Sequence, residues 1–209
     1  MTHARAERSA LCDLLDRLGP DAPTLCTGWT TADLAAHLAV RERRPDAMPG
    51  IALGLLAGYT ASVQSSFRAR HSYPALVSVV RRPGGVYALL PALDEAVNTL
   101  ELFVHHEDVR RAQPSWEPRE LPADLETVIW KRVSTGARLM LRKSPVGVVL
   151  HRLGGGVALG GPRGGSRVEV TGRAAELLVF CFGRQAHARV ELTGDPADID
   201  ALRAASLGV

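Results

Sequence analysis

The side chains best suited to chemistry are Glu101 and His105, which stand four apart in the segment Glu-Leu-Phe-Val-His. In an α-helix, residues four apart lie one turn above the other on the same side. A carboxylate and an imidazole placed in this way can hold one metal ion. The spacing therefore predicts a metal-binding pair, with an ordinary surface ion pair between the same two residues as the alternative.

A third candidate ligand is His37, in the segment Trp-Thr-Thr-Ala-Asp-Leu-Ala-Ala-His-Leu over 29–38. Thr30 and Asp33 have the pattern of a capping box, which predicts that a helix begins here. Two histidines and one carboxylate on facing helices would bind a divalent metal and leave coordination positions open for chemistry. The competing interpretation is that His37 is a structural histidine satisfied by protein partners.

Two further residues near His105 could complete or modify such a site. Asp108 could accept a hydrogen bond from His105 and fix its tautomer, or it could be a simple surface acid. His106 is rotated by about 100° from His105 and is expected to point elsewhere. A fourth protein ligand from either residue would indicate a structural metal site, because catalytic zinc has three protein ligands plus water.

Other catalytic patterns are weaker. A serine nucleophile would need a Gly-x-Ser-x-Gly elbow, which the sequence lacks. The glycine-rich stretches 154–156 and 160–165 match neither phosphate-binding pattern, so we expect them to form tight turns.

Helical periodicity dominates the first ~145 residues. Pro91 fits the first turn of the helix that carries Glu101 and His105. Its apolar stripe is expected to face the core, with Glu101 and His105 at its flanks. The stripe consists of Leu93, Val97, Leu100 and Val104. Helices are predicted over 4–18, from Thr30 to before Pro45, over 73–80, over 91–112 and over 123–142, with a glycine-weakened helix over 48–70.

The pattern changes at Ser144-Pro145, where short β-rich runs separated by glycines begin. The sequence therefore predicts two domains, a metal-binding helical bundle over 1–143 and a small α+β domain over 144–209. Strands are predicted over 146–153, 156–160, 167–171 and 188–193, with helices over 172–185 and from Pro196.

The bulk properties exclude several classes. The 209 residues carry a net charge of +3, but basic residues occur as scattered pairs, so a DNA-associated role rests on the isoelectric point of 9.0 alone. No stretch approaches ~20 unbroken apolar residues, and no signal peptide is visible. Three distant cysteines do not indicate a disulfide framework or a thiolate zinc site. We expect a cytoplasmic protein that binds neither nucleic acid nor membranes.

The segment Leu-Cys-Thr-Gly-Trp-Thr-Thr-Ala-Asp-Leu-Ala-Ala-His-Leu over 25–38, followed by Glu-x-x-x-His, resembles the mycothiol-dependent maleylpyruvate isomerase family. That family belongs to the DinB-like four-helix metalloproteins. The segments 170–184 and 190–195 are similar to the family's small C-terminal domain. The resemblance implies a mainly α fold, a DinB-like up-down four-helix bundle followed by a small α+β C-terminal domain.

The resemblance also implies a divalent metal, most often zinc, held by His37, Glu101 and His105. It implies a low-molecular-weight thiol, mycothiol, as cofactor or co-substrate, and a reaction of the S-transferase or maleylpyruvate isomerase type. A thiol at the open metal position would be deprotonated and could attack an electrophile. The family's isomerases use an arginine of the C-terminal domain, and Arg184 is the matching candidate. Its alternative is a solvent-facing arginine that offsets a helix dipole.

Two functions from different classes follow. The first is a thiol-dependent metalloenzyme, a transferase or isomerase, whose partners are a small-molecule thiol and an electrophilic substrate. The second is a non-catalytic, metal-stabilised module that binds a small hydrophobic ligand. In either case we expect a monomer or a homodimer. Metal content and the response of the metal to thiols would separate the two.

Overall fold

The computed structural model describes residues 1–44, 46 and 57–208. Its internal contacts divide the chain into two compact units, Met1–Trp116 and Glu117–Val209. No helix among the described residues is long and apolar enough to cross a membrane.

The first unit is helical, as predicted. Its described helices are α1 (His3–Leu18), α2 (Thr31–Arg43), α3 (Ala57–Arg70), α4 (Tyr73–Arg81), α5 (Gly85–Leu89) and α6 (Pro91–Arg111). The predicted helix over 48–70 corresponds to α3 in its second half, and its first part, 48–56, lies outside the described residues. The short helix α5 was not predicted, because the Pro-Gly-Gly sequence before it indicates only a break.

Helices α1, α2, α4 and α6 share one hydrophobic core and so form a four-helix bundle. The helices bury apolar side chains at helical spacing, as an amphipathic helix does against a core. This confirms the mainly α, DinB-like bundle that the sequence predicts. The core side chains include Leu11 and Leu15 of α1, Leu34 and Leu38 of α2, Leu76 and Val80 of α4, and Leu102 and Val109 of α6.

The apolar stripe predicted for α6 is wrong in its first half. Val97 is 38% exposed, whereas the polar Asp94 and Asn98 are completely buried. The reason is an arginine from another helix. Arg8 of α1 is itself buried and places its Nη2 3.0 Å from Asp94 Oδ1 and 2.7 Å from Glu42 Oε1. Because buried charges must be paired, the polar side of α6 turns inward to meet Arg8.

The second unit is a four-stranded sheet with helices packed against it. Its elements are α7 (Ala123–Met140), β1 (Gly147–Arg152), β2 (Val157–Gly160), β3 (Arg167–Gly172), α8 (Ala174–Cys181), β4 (Glu191–Thr193) and α9 (Pro196–Ala204). The strand order is β2-β1-β3-β4, with β1 and β3 parallel and the outer pairs antiparallel. Residues alternate between buried and exposed along β2 and β3, because successive side chains of a strand point to opposite faces.

The α+β character of the C-terminal part is confirmed. Helix α7 packs against β2 and α8, so its contacts place it with the sheet. The boundary between 143 and 144 marks the change in sequence pattern and stays a prediction. The glycine stretch over 154–156 is a tight turn, as predicted, and all three of its residues have positive φ.

Candidate metal centre

The start of helix α2 sets the position of His37. The carboxylate of Asp33 accepts hydrogen bonds from the backbone N–H of Thr30, at 3.0 Å, and from its hydroxyl, at 2.9 Å. This is the predicted capping box, which ties up donors that the first turn leaves unpaired. His37 follows Thr30 by seven residues, about two turns further along the helix.

The structure brings the three predicted metal ligands together. The candidate donor atoms of His37, Glu101 and His105 lie within 4.8 Å of one another. Oε1 of Glu101 is 3.3 Å from Nε2 of His105 and 3.8 Å from Nε2 of His37. The three side chains are partly buried, with 12% of each imidazole and 25% of the carboxylate exposed. Solvent or a small molecule can therefore reach the cluster.

His105 is held by Asp108 from its other side. Nδ1 of His105 lies 3.0 Å from Oδ2 of Asp108, whose side chain is almost fully buried. A carboxylate in this position accepts the Nδ1–H bond and leaves Nε2 free to face the cluster. The structure thus supports the interpretation of Asp108 as a partner of His105 over that of a surface acid.

Cys26 is a residue of the site that the sequence did not single out. Its thiol donates to Oδ2 of Asp108 at 3.3 Å and lies 3.9 Å from Nδ1 of His105. The loop is fixed there because the backbone N–H of Leu25 donates to the carbonyl of Asp108 at 3.0 Å. The hydroxyl of Thr24 closes the turn by donating to the carbonyl of Trp29 at 2.9 Å. A contact between a loop and a distant helix carries no local sequence signal.

Arg41 is a second residue whose role was missed. Its Nε is 3.1 Å from Oε1 of Glu101, and its Nη1 donates to Oδ1 of Asn98 at 2.6 Å. The spacing of four between His37 and Arg41 was the available signal, since it puts both on one side of α2. Trp29 packs on His37, the candidate ligand that α2 supplies, and the two ring centres are 5.0 Å apart.

The charges of the cluster follow from these contacts. Burial lowers the pKa of His37, although its hydrogen bond to Glu101 opposes this. Burial would also lower the pKa of His105, but hydrogen bonds with Asp108, Cys26 and Glu101 outweigh it and hold this pKa well above 6.5. Burial would raise the pKa of Glu101, but its hydrogen bonds with His105 and His37 outweigh it and hold this pKa well below 4.5. These contacts therefore favour the ionised form of Glu101, the neutral form of His37 and the protonated form of His105.

Neither of the two possible fourth ligands reaches the same point. Nδ1 of His106 lies 2.9 Å from Oε2 of Glu7 in a buried pair, so this ring turns away, as expected. Asp108 contacts the Nδ1 side of His105 and not the Nε2 side that faces Glu101.

The donor set fits a divalent metal. In tetrahedral zinc sites the ligands lie about 2.1 Å from the ion, which puts neighbouring donors about 3.4 Å apart. The Glu101–His105 and Glu101–His37 donor distances of 3.3 and 3.8 Å are of this size. Two imidazoles and one carboxylate are also donors that zinc prefers, and metal binding would release the proton that His105 carries.

The predicted catalytic Arg184 lies in the second unit. It follows α8 and precedes a short 3₁₀ helix over Gln185–His187, and its Nη1 donates to the carbonyl of Phe182. It is partly buried, and its catalytic role stays a prediction.

Comparison with known proteins places the chain in a family. The family model described as the mycothiol maleylpyruvate isomerase N-terminal domain matches residues 1–153. No curated protein matches the sequence. Two solved structures are similar in fold. A histidine-to-alanine mutant of mycothiol-dependent maleylpyruvate isomerase has a TM-score of 0.60 and 15% identity, with 91% of this chain and 90% of that chain covered. A second structure of mycothiol-dependent maleylpyruvate isomerase has a TM-score of 0.54 and 18% identity, with the same coverage. The match over most of the sequence shows that this chain belongs to the mycothiol maleylpyruvate isomerase family.

Proposed function

We propose that this protein is a divalent-metal enzyme that uses a low-molecular-weight thiol such as mycothiol, either as an S-transferase or as a maleylpyruvate isomerase-like enzyme. The observation that carries the proposal is the meeting of His37, Glu101 and His105 within 4.8 Å. Membership in the family and the names of the two similar structures support mycothiol as the thiol. We expect zinc as the metal and a cytoplasmic protein that acts on small molecules.

The three ligands would hold the metal, and the remaining coordination position would admit the thiol. A bound divalent cation would lower the pKa of that thiol and so supply a nucleophile at neutral pH. Asp108 holds the Nδ1 side of His105 and so would leave Nε2 to bind the metal, and Arg41 restrains the carboxylate of Glu101. Trp29 covers one side of His37 and limits the motion of that ring.

In transfer, the thiolate would form a bond to an electrophilic carbon and remain attached to it. Either a leaving group would depart from that carbon with the bonding electrons, or an activated double bond would open and its other carbon would take up a proton. In isomerisation, the thiolate would add to the alkene carbon of a cis-enone, the resulting single bond would rotate, and the thiol would leave.

Arg184 is the candidate to bind a carboxylate of the substrate or of the thiol, because a guanidinium pairs with a carboxylate through two hydrogen bonds. Arg184→Gln should then raise KM for carboxylate-bearing substrates more than it lowers kcat. Arg173→Gln is a suitable control, because Arg173 is exposed and its contact with Glu126 is long, at 3.8 Å.

Metal content is the first test. Purified protein should contain about one divalent ion per chain by elemental analysis, and His37→Ala should lose it. His151→Ala is the matched control, because His151 is partly exposed on the sheet of the second unit. Equal metal content in wild type and His37→Ala would overturn the assignment of the ligands.

Thiol chemistry is the second test. Protein substituted with cobalt should change its visible spectrum when mycothiol or another small thiol is added. The same preparation should conjugate or isomerise small electrophiles only in the presence of the thiol. A cobalt spectrum that ignores thiols, in a protein that still binds metal, would favour the non-catalytic binding module.

A further inference from the structure

A cavity of about 370 Å³ lies at one end of the sheet in the second unit. Strands β1 and β3 begin here and β2 ends here, because Gly147 pairs with Arg167 and Val148 pairs with Gly160. Three arginines from separate segments line it: Arg138 of α7, Arg163 of the β2–β3 turn and Arg167 of β3. We propose that this cavity binds a small organic dianion, whose acidic groups are carboxylates or a phosphate.

The three guanidinium groups are not neutralised by the protein. Within residues 1–44, 46 and 57–208, no acidic side chain forms an ion pair with Arg138, Arg163 or Arg167. Arg81, in contrast, lies between the carboxylates of Asp13 and Asp16. Like charges that line one cavity repel each other, so an anion between them would remove an unfavourable interaction.

The distribution of charge in the sequence agrees with this location. The first unit holds twelve arginines and lysines against twelve acidic residues, whereas the second holds thirteen against ten. The whole net charge of +3 therefore belongs to the unit that contains the cavity. This excess is too small and too local for a polyanion, and it suits a ligand with two negative charges.

The walls of the cavity indicate the size and shape of the ligand. Gly147 lies so close to Arg167 that an added Cβ would be 2.9 Å from its Cγ, and Gly161 has a φ of +70°. Neither position has room for a side chain, so the backbone itself lines the cavity at these two glycines. Val148, Leu159 and Pro162 contribute apolar surface between the charges. A volume near the lower end of the ~300–1,000 Å³ typical of ligand pockets suits a short carbon skeleton with acidic ends.

Arginine is suited to this recognition because its planar fork donates two parallel hydrogen bonds to one carboxylate or phosphate. The proposed site is separate from the metal centre in its residues and in its chemistry. It does not depend on the proposed thiol reaction, and each can fail without the other.

The test is calorimetric titration of the full-length, metal-loaded protein at constant ionic strength. The probes are succinate and inorganic phosphate, with neutral succinamide as the control compound. We expect saturable binding of at least one anion and none of succinamide. The anion that binds more tightly identifies the preferred acidic group as a carboxylate or a phosphate. Absence of saturable binding by both anions would overturn the proposal.

Two triple variants separate a built site from general electrostatics. Arg138→Gln/Arg163→Gln/Arg167→Gln should weaken binding of the preferred anion at least tenfold. Lys131→Gln/Arg142→Gln/Arg203→Gln removes the same charge from exposed positions outside the cavity lining and should change it less than twofold. Equal weakening in both variants would show diffuse attraction and refute the site. Circular dichroism and thermal unfolding of every sample confirm that the variants fold, because the metal ligands lie in the other unit and metal content does not report on the second.

Discussion

Nε of Arg41 lies 3.1 Å from Oε1 of Glu101, the same oxygen that faces both imidazoles of the candidate metal centre. Arg41 also donates to Asn98, which in turn donates to Asp94 at 2.7 Å. Through these bonds a polar network runs from the buried Arg8 to the edge of the metal centre. The oxygen of Glu101 that faces the two imidazoles is therefore also held by the guanidinium of Arg41.

The first prediction concerns Arg41. Arg41→Gln should destabilise the metal-free protein by about 1–3 kcal/mol, because a largely buried carboxylate loses its charged hydrogen-bond donor. Zinc supplies a new positive partner for Glu101, so the loss should shrink in the metal-loaded protein. Urea denaturation in EDTA and in excess zinc measures both values. An equal loss of stability in both conditions would contradict this role of Arg41.

A second prediction concerns Asp108. Asp108→Asn should weaken metal binding by about 10–100-fold, as loss of the partner of a ligating histidine commonly does. Competition with a chromophoric chelator measures the affinity, and the denaturation midpoint is recorded on the same sample. Asp200→Asn is the control, because its side chain is 79% exposed on α9. Metal affinity unchanged in Asp108→Asn would show that His105 is oriented by other contacts.

Local patterns in the sequence singled out the three candidate ligands, and for physical reasons. The spacing of four between Glu101 and His105 fixes their common side within one helix, and the capping box fixes where α2 begins. Both depend on residues within two turns of each other. The contact between α2 and α6 joins residues far apart in the sequence, so periodicity could not predict it. The resemblance to the family indicated that His37 would meet Glu101 and His105.

The parts that could not be predicted depend on distant partners. From the sequence alone, the polar Asp94 and Asn98 are expected on the solvent side of α6. The structure buries them because Arg8, which is distant in sequence, pairs with Asp94. The sequence places Cys26 in a loop and gives no sign that it lies near the site. The backbone hydrogen bond from Leu25 to Asp108 holds it there. The sequence pattern around 143–144 reports the start of the strands. It does not report that α7 packs with them.

A third prediction tests the buried network of Arg8. Arg8→Met should lower the free energy of unfolding by about 3–5 kcal/mol, because Glu42 and Asp94 would be left buried without their cation. Arg17→Met, an exposed position on the same helix, should cost less than about 0.5 kcal/mol. Chemical denaturation at neutral pH gives both values. Similar small losses in the two variants would mean that water or other groups compensate the acids.

A fourth prediction concerns the reactivity of the three thiols. Burial raises the pKa of Cys12 and of Cys181 to about 12, and both side chains are inaccessible, whereas Cys26 is only partly buried. At pH 8 about one in ten thousand of the buried thiols would be ionised. Iodoacetamide should therefore modify Cys26 first in the folded protein, and all three residues in guanidinium chloride. Peptide mapping by mass spectrometry identifies the site, and early labelling of Cys181 would contradict the packing of α8.

The last prediction is a loss of stability at alkaline pH caused by Cys181. Its pKa rises from 9.0 to about 12 on folding, so above pH 9 the unfolded chain has lost the proton that the folded chain keeps. Unfolding then becomes more favourable as pH rises, by about 1.4 kcal/mol for each pH step between 9 and 12.

Cys181→Ala should remove this contribution, so its stability should fall less between pH 8 and pH 10.5 than that of wild type. Val179→Ala is the control, because Val179 is buried in the same helix and carries no proton. It should lower stability at every pH and keep the slope of wild type. Parallel curves for Cys181→Ala and Val179→Ala would show that the thiol of Cys181 ionises as easily in the folded protein as in the unfolded chain.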